Sequence, residues 1–203
     1  MSEIETLFPT RIYRSRIDDA SMIQELEEAC HALALDDEAG QKWCDKNGYP
    51  GYTSYASLND LPWRFPIFKV LTKLVDQHVK AFAKALEFEL GGGKLVMDSL
   101  WVNMLPEGGA HAAHIHPNSV ISGTFYVRMP KGAAALRLED PRHMMMMAAP
   151  PKKAKAARDN QPFVSIPSEP GTLLLWESWL RHDVPVNRAE SERISVSFNY
   201  NWV

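Results

Sequence analysis

The C-terminal half of the chain places the tightest limits on its fold. From Lys94 onward, short runs rich in Val, Ile, Phe, Tyr and Thr alternate with Gly and Pro, and no helical period runs through them. Many short strands at close spacing are typical of a β-sandwich or jelly roll. We predict eight strands, at residues 95–105, 110–116, 119–129, 134–139, 162–167, 171–176, 181–187 and 192–202.

The N-terminal part of the chain has helical patterns. An extended arm is predicted over residues 4–17, followed by a helix that starts at a capping box, Ser21 to Gln24. Apolar residues at helical spacing predict a longer helix from Pro66 to Leu90, which Gly91-Gly92-Gly93 ends. Residues 40–62 carry turn signals, among them Asn59-Asp60, and are predicted to be irregular.

Together these patterns predict a mainly β fold of the α+β class. Residues 94–203 form a cupin-like jelly roll, and residues 1–93 supply the arm and the helices that pack on one sheet, all within a single domain. The insertion at residues 140–161 is too long for a hairpin loop. Its four methionines, Met144 to Met147, fit an adaptable apolar lid and equally a loop that only packs on its neighbour.

Composition excludes several classes of function. A net charge of −3 with no long stripe of Lys and Arg argues against a nucleic-acid-binding surface. No apolar stretch is long enough to span a membrane. The acidic N-terminus has no secretory h-region, so Cys30 and Cys44 are expected to be reduced thiols in a cytoplasmic protein. The arm or the last strand offers an edge for a homodimer.

A cluster of histidines in the middle of the chain has the spacing of a metal site. Side chains at i and i+2 of a strand share one face, roughly 6–7 Å apart. His114 and His116 would therefore lie side by side, at the rim of a strand that Pro117 ends. Taken alone, this pair is also typical of a histidine-rich surface loop.

Two later strands offer partners for this pair. His182 starts a predicted strand, and strands distant in sequence lie opposite each other in a jelly roll; alone, it is typical of a structural histidine. On the last strand, Arg193 shares one face with small hydroxyl and amide side chains. Such a face is typical of the lining of a pocket for an anionic ligand. A strand with one face in solvent would show the same alternation of polar and apolar residues.

Four blocks carry a family resemblance: HPNSVISGTFYV after His114-Ile115, LEDPR, GTLLLWESWLRHDVPVN and ERISVSFN. In this order they resemble a group of bacterial and phage 2-oxoglutarate/Fe(II) oxygenases, over the half of the chain from Trp101 onward. The resemblance implies a double-stranded β-helix with cofactors Fe(II) and 2-oxoglutarate and with dioxygen as cosubstrate. It implies His114, His116 and His182 as catalytic metal ligands, and Arg193 as the residue that binds the far carboxylate of 2-oxoglutarate. Further cofactor contacts are expected from Ser195, Tyr126 and Asn103.

One departure from the family pattern leaves alternatives open. The facial triad of such enzymes has two His and one carboxylate, whereas this chain has His116 at the carboxylate position. In one alternative iron still binds, with 2-oxoglutarate supplying the missing carboxylate charge. In another, zinc competes with iron for the three histidines. In a third, Asp183 or Asp140 provides a further ligand or a hydrogen bond to one of the ligands. His111 would replace His114 if the strand is bulged. Rival functions are a three-histidine cupin-like metalloenzyme without 2-oxoglutarate and a non-catalytic jelly-roll binding protein; the substrate is not indicated.

Overall fold

The computed structural model describes residues 1–58 and 60–203; Asn59, part of the predicted Asn59-Asp60 turn, lies outside the described residues. The helices are α1 (Ala20–Asp36), α2 (Glu38–Asn47), α3 (Leu61–Arg64) and α4 (Pro66–Ala85). The strands are β1 (Tyr13–Arg16), β2 (Tyr52–Thr53), β3 (Leu95–Leu105), β4 (His111–His114), β5 (Ile121–Arg128), β6 (Leu136–Glu139), β7 (Phe163–Ile166), β8 (Thr172–Glu177), β9 (His182–Val184) and β10 (Arg193–Trp202). No helix in the described ranges is both long and apolar enough to cross a membrane.

The strands form two antiparallel sheets. The larger sheet has six strands in the order β1-β8-β5-β10-β3-β2, and the smaller has four in the order β4-β9-β6-β7. Neighbours that are distant in sequence, such as β5 beside β10, are characteristic of a jelly roll. All eight predicted strands are present, and the predicted double-stranded β-helix is confirmed.

The helices cover the outer face of the larger sheet, as predicted. The buried stripes of α1 and α4 and the apolar face of β10 belong to one hydrophobic core. A second, smaller cluster lies between the sheets and includes Tyr126, Leu136 and Trp176. The polar face of β10 therefore points into the interior, because Arg193 and Ser195 are each only 3% exposed. A solvated face on this strand is excluded.

Helix α4 begins at the predicted Pro66, but the start of α1 and the end of α4 differ from the prediction. The N-cap of α1 is Asp19, whose carboxylate accepts from the Met22 backbone N–H, and Ser21 instead donates to Asp19. Helix α4 ends at Ala85 rather than Leu90, before Glu87 takes a left-handed φ of 58°. The sequence signal misled because apolar residues continue past the point where the backbone turns.

Helix α2 was not predicted. It lies in the stretch predicted to be irregular and buries only Gly40 and Cys44, so no apolar stripe marks it. Its C-cap is Gly48 with a φ of 61°, which is the left-handed conformation that a glycine adopts without strain. The turn signal Asn47-Gly48 thus marks a helix end.

The insertion between β6 and β7 has two short 3-10 turns, His143–Met145 and Arg158–Asn160. Met144, Met145 and Met147 are 76%, 75% and 93% exposed. Three of the four methionines are therefore open to solvent, whereas Met146 is half-buried, and both interpretations of the loop stay predictions.

Gly123 explains one motif position and provides a test of the packing. A Cβ at this residue would meet Phe198 Cε2 at 2.5 Å and Leu175 Cδ2 at 2.6 Å. Both neighbours are fully buried, so neither moves away freely. We expect Gly123→Ala to lower the free energy of unfolding by about 1–3 kcal/mol through overpacking. Urea denaturation measures the change, and an unchanged midpoint would contradict it; Gly92→Ala, with open space around the new Cβ, is the control.

Candidate active site

Three histidines converge at one end of the smaller sheet. His114 is the last residue of β4 and pairs in register with His182 of β9, while His116 follows just beyond the strand. The strand is shorter than predicted, so His114 and His116 share a site without sharing a strand. One ligating nitrogen from each of the three lies within 4.8 Å of the others. The structure thus brings together all three expected ligands.

The hydrogen bonds of the three rings leave Nε2 free on each. Nδ1 of His114 lies 2.8 Å from the Ala112 carbonyl oxygen, and Nδ1 of His182 lies 2.8 Å from that of Leu180. Nδ1 of His116 lies 2.5 Å from an amide oxygen, Asn199 Oδ1. These oxygens only accept, so each Nδ1 carries the proton and each Nε2 has an open lone pair.

Two of these lone pairs face each other across a short gap. The Nε2 atoms of His114 and His116 are 3.0 Å apart. Two unprotonated nitrogens at this distance repel unless a cation lies between them. Bonds of about 2.1 Å from one ion at a right angle span about this distance. The donor set therefore fits a transition-metal ion.

Burial keeps the imidazoles neutral, which is the form that binds metal. Burial, with a smaller contribution from the neighbouring His114, lowers the pKa of His182 to about 3. The pKa of His111 is lowered to about 4, again mainly by burial. Burial also lowers the pKa of His114 and of His116. Protons therefore do not compete for these nitrogens near pH 7.

These shifts predict that the metal-free protein loses stability in mild acid. The unfolded chain binds protons on His111 and His182 below a pKa of about 6.5, whereas the folded chain does not bind them until about 4 and about 3. The free energy of unfolding therefore falls as the pH drops from 6.5 towards 4, by about 2 kcal/mol per histidine at pH 5.

Urea denaturation in the presence of a chelator, at pH 7 and at pH 5, measures this loss. His111→Gln should remove part of the difference between the two pH values, because one buried titrating ring is gone. Equal unfolding free energies at the two pH values in the wild type would contradict the assignment.

The alternative ligands lie elsewhere. The β4–β9 register shifts between His111 and His114, so the bulge exists, but among the described residues the ligand cluster consists of His114, His116 and His182. Both oxygens of Asp183 bind Arg137, at 2.9 and 2.5 Å. Asp140 pairs with Arg142. Neither carboxylate completes the cluster.

Arg193 provides the second feature of the site. It lies at the start of β10, 3% exposed, with its guanidinium 5.5 Å from the centroid of the Tyr126 ring. Burial lowers its pKa, and no carboxylate in the part of the chain that the structure describes offsets its charge. Its Nε and the Tyr126 hydroxyl are both buried without a hydrogen-bond partner. A buried cation with open donors requires an anion.

The cavity between the sheets joins the two features. It is lined by the three histidines together with Arg193, Tyr126, Asn103, Ser195 and Ser197. Asn103 is held from both sides, since its Oδ1 accepts from Thr53 Oγ1 at 2.9 Å and its Nδ2 donates to Ser197 Oγ at 3.1 Å. All four expected cofactor-contact residues thus lie in one cavity with the candidate metal ligands.

Other residues of the site were not found from the sequence. Tyr49 is placed with its hydroxyl 3.3 Å from His111 Nδ1 and 3.5 Å from Asn103 Oδ1. Trp176 packs its edge on His182, with ring centroids 4.8 Å apart. The ring centroids of Trp101 and His116 lie 5.8 Å apart. The aromatic residues of the 49–63 segment, Tyr49, Tyr52, Tyr55 and Trp63, indicate in the sequence that this segment packs against the rest of the fold, but they do not indicate which residues it contacts.

The fold and the cavity together define a class: a jelly-roll protein in which three histidines that could hold a metal ion lie in one cavity with a buried arginine. Residues 99–199, about half of the chain, match the family described as "Putative 2OG-Fe(II) oxygenase". The chain belongs to this family, and it is accordingly a dioxygenase whose cofactors are Fe(II) and 2-oxoglutarate. No curated protein matches the sequence.

Solved structures of this fold are similar over nearly the whole chain. The non-heme alpha ketoglutarate dependent epimerase SnoN from nogalamycin biosynthesis has a TM-score of 0.63 at 14% identity, covering 94% of this chain and 77% of that one. HygX from Streptomyces hygroscopicus, with nickel, 2-oxoglutarate and hygromycin B bound, has a TM-score of 0.63 at 13% identity, covering 95% and 83%. A Pseudomonas putida prolyl-4-hydroxylase has a TM-score of 0.60 at 13% identity, covering 95% and 92%.

Proposed function

We propose that His114, His116 and His182 hold the catalytic Fe(II), and that Arg193 binds the distal carboxylate of 2-oxoglutarate in the same cavity. The observation that carries the proposal is the pairing of a cluster of unprotonated nitrogens with a buried, uncompensated cation. The facing lone pairs of the histidines repel one another, and the buried charge of Arg193 has no counter-ion, so each feature is unfavourable without a ligand. A metal ion and a dicarboxylate keto acid relieve both.

Iron at this site would activate dioxygen, so that oxidative decarboxylation of 2-oxoglutarate to succinate drives hydroxylation of a substrate C–H bond. The chain's own residues provide orientation. Arg193 pairs with the carboxylate through its guanidinium, and the Tyr126 hydroxyl donates a further bond to it. Ser195, which is buried on the same strand face, assists.

The third histidine in place of a carboxylate changes the charge of the site. Three neutral imidazoles leave the ion with one more positive charge than a triad that contains a carboxylate. An anionic chelator offsets that charge, so metal and keto acid should strengthen each other's binding. Two almost fully buried tryptophans, Trp101 at 6% exposure and Trp176 at 2%, form an apolar part of the cavity wall.

We propose that the substrate enters past the 49–63 segment, with the 143–160 loop on the rim. Tyr55 is 61% exposed and packs edge-on against Trp101, with ring centroids 5.1 Å apart. Because Trp101 also lies beside His116, these aromatic rings form a continuous path from the surface to the site. The exposed methionines of the loop would adapt to an apolar substrate face.

The chain is proposed to act as a single domain over residues 1–203. The core shared by α1, α4 and the larger sheet supports this proposal, since neither part buries its apolar face alone. A cytoplasmic setting is also proposed, and the free, buried state of Cys30 and Cys44 supports it.

An anaerobic titration tests the function. The metal-free protein is titrated with Fe(II) and then with 2-oxoglutarate while the visible metal-to-ligand charge-transfer band is recorded. A band that requires both additions is expected, and it would justify a substrate search by succinate release. Metal uptake without a band would overturn the keto-acid proposal and favour a three-histidine enzyme that uses no 2-oxoglutarate.

A further inference from the structure

The three candidate ligands are not held in the same way. His114 and His182 each point Nδ1 at the backbone carbonyl two residues earlier, Ala112 and Leu180, so local backbone geometry orients these rings. His116 lies beyond the end of β4 and its Nδ1 meets a side chain instead. Its orientation therefore depends on Asn199, 83 residues away in sequence.

Asn199 is itself fixed from both sides of β10. It is 7% exposed and pairs in register with Ser99 of β3 and Ser122 of β5. Its Nδ2 donates to Ser99 Oγ at 3.2 Å, and its Oδ1 accepts from Ser122 Oγ at 2.8 Å. These two bonds hold both ends of the amide in place, and the oxygen is the end that faces His116.

Ser122 belongs to the same cluster. Its hydroxyl lies 3.1 Å from His116 Nδ1 and 2.7 Å from Ser178 Oγ. The Ser178 carbonyl in turn accepts the backbone N–H of His116 at 3.0 Å. Backbone and ring of the third histidine are therefore both held by residues outside β4.

We propose that Asn199 is the positioning residue for the third metal ligand, because its Oδ1 fixes the Nδ1–H tautomer of His116 and leaves Nε2 open for the metal. The inference rests on the proposed metal site. The inference would give β10 two roles, since Arg193 at its start would bind the keto acid and Asn199 further along would orient a ligand of the metal. A neutral amide suits a histidine ligand, because it accepts from Nδ1–H without adding a buried charge.

The first measurement needs no metal. Two-bond ¹H–¹⁵N correlation spectra of the metal-free, ¹⁵N-histidine-labelled protein at pH 7.5 report the tautomer of each ring, and His116→Gln assigns the signal of interest. The wild type should show His116 as the Nδ1–H tautomer. Asn199→Leu should show a mixture with the Nε2–H form.

The second measurement is Co(II) affinity, followed through the visible spectrum of the bound ion. Loss of a partner that orients a ligand typically weakens metal binding by about 10- to 100-fold. We expect that loss in Asn199→Leu, and wild-type or tighter affinity in Asn199→Asp, whose carboxylate keeps the acceptor. Asn201→Leu, the same change two residues along the strand, is the matched control and should leave tautomer and affinity unchanged.

The outcomes separate the two proposals. If the wild type fails to bind Co(II), the metal site is wrong, whatever the tautomer. If it binds Co(II) and Asn199→Leu keeps the Nδ1–H tautomer with an affinity within about twofold of wild type, the role of Asn199 is overturned. Should Asn199→Leu not fold, Asn199→Ala replaces it, since alanine removes the acceptor without adding volume to the buried site, and the same two readouts decide.

Discussion

His182→Gln is expected to abolish iron binding and turnover while the chain still folds. His182 is 5% exposed, and its ring centroid lies 4.4 Å from that of His114 and 5.1 Å from that of His116, so it completes the three-nitrogen cluster. Loss of a partner outside the ligand shell already costs about 10- to 100-fold in affinity, and loss of a ligand should exceed that. Anaerobic Fe(II) titration should show at least about a 100-fold weaker complex.

A matched histidine controls for the general effect of the substitution. His143→Gln changes an exposed ring in the insertion and should leave iron affinity unchanged. Circular dichroism and urea midpoints for both variants separate a lost ligand from a lost fold. Iron binding by His182→Gln within a few-fold of wild type would remove this residue from the ligand set.

Sequence patterns predicted the jelly roll well because its signals are local. Alternating apolar residues and turn residues place each strand, and β3 occurs over the predicted residues 95–105. The strands at the site are shorter than predicted, since β9 covers only His182–Val184. There the chain leaves the sheet to turn side chains towards the cavity, a tertiary effect that no local period records.

The site itself was predictable in part. The spacing of His114 and His116 and the charge of Arg193 are written in the sequence, and a family resemblance joined them. The positions of Tyr49 and Asn199 are not. Tyr49 reaches the site from the turn after α2, and Asn199 reaches it through the pairing of β10 with β3 and β5, which lie far from it in sequence. Asn199 was visible only as one of several amides and hydroxyls on the polar face of the last strand.

Arg193→Leu should separate keto-acid binding from metal binding. The guanidinium is buried beside the cavity and faces no carboxylate of the described chain, so the ligand must supply the counter-charge. Removing one partner of a buried ion pair costs about 3–5 kcal/mol. That corresponds to a loss of more than about 100-fold in 2-oxoglutarate affinity. Fe(II) affinity in the absence of keto acid should stay close to wild type.

The exposed Arg188 provides the control, and Arg188→Leu should bind both Fe(II) and 2-oxoglutarate normally. Titration of the Fe(II) protein with 2-oxoglutarate, followed by the charge-transfer band, measures the difference. Equal loss of metal and keto-acid binding in Arg193→Leu would contradict the assignment, because it would mean a collapsed site rather than a missing anion partner.

The same variant makes a second, opposite prediction for the ligand-free protein. Holding an uncompensated cation in the interior opposes folding, so replacing Arg193 by leucine should leave the free energy of unfolding unchanged or raise it by about 1 kcal/mol or more. A residue kept for the fold would show the reverse, a clear loss of stability. Weaker 2-oxoglutarate binding together with equal or greater stability is therefore the signature of a residue retained for its ligand.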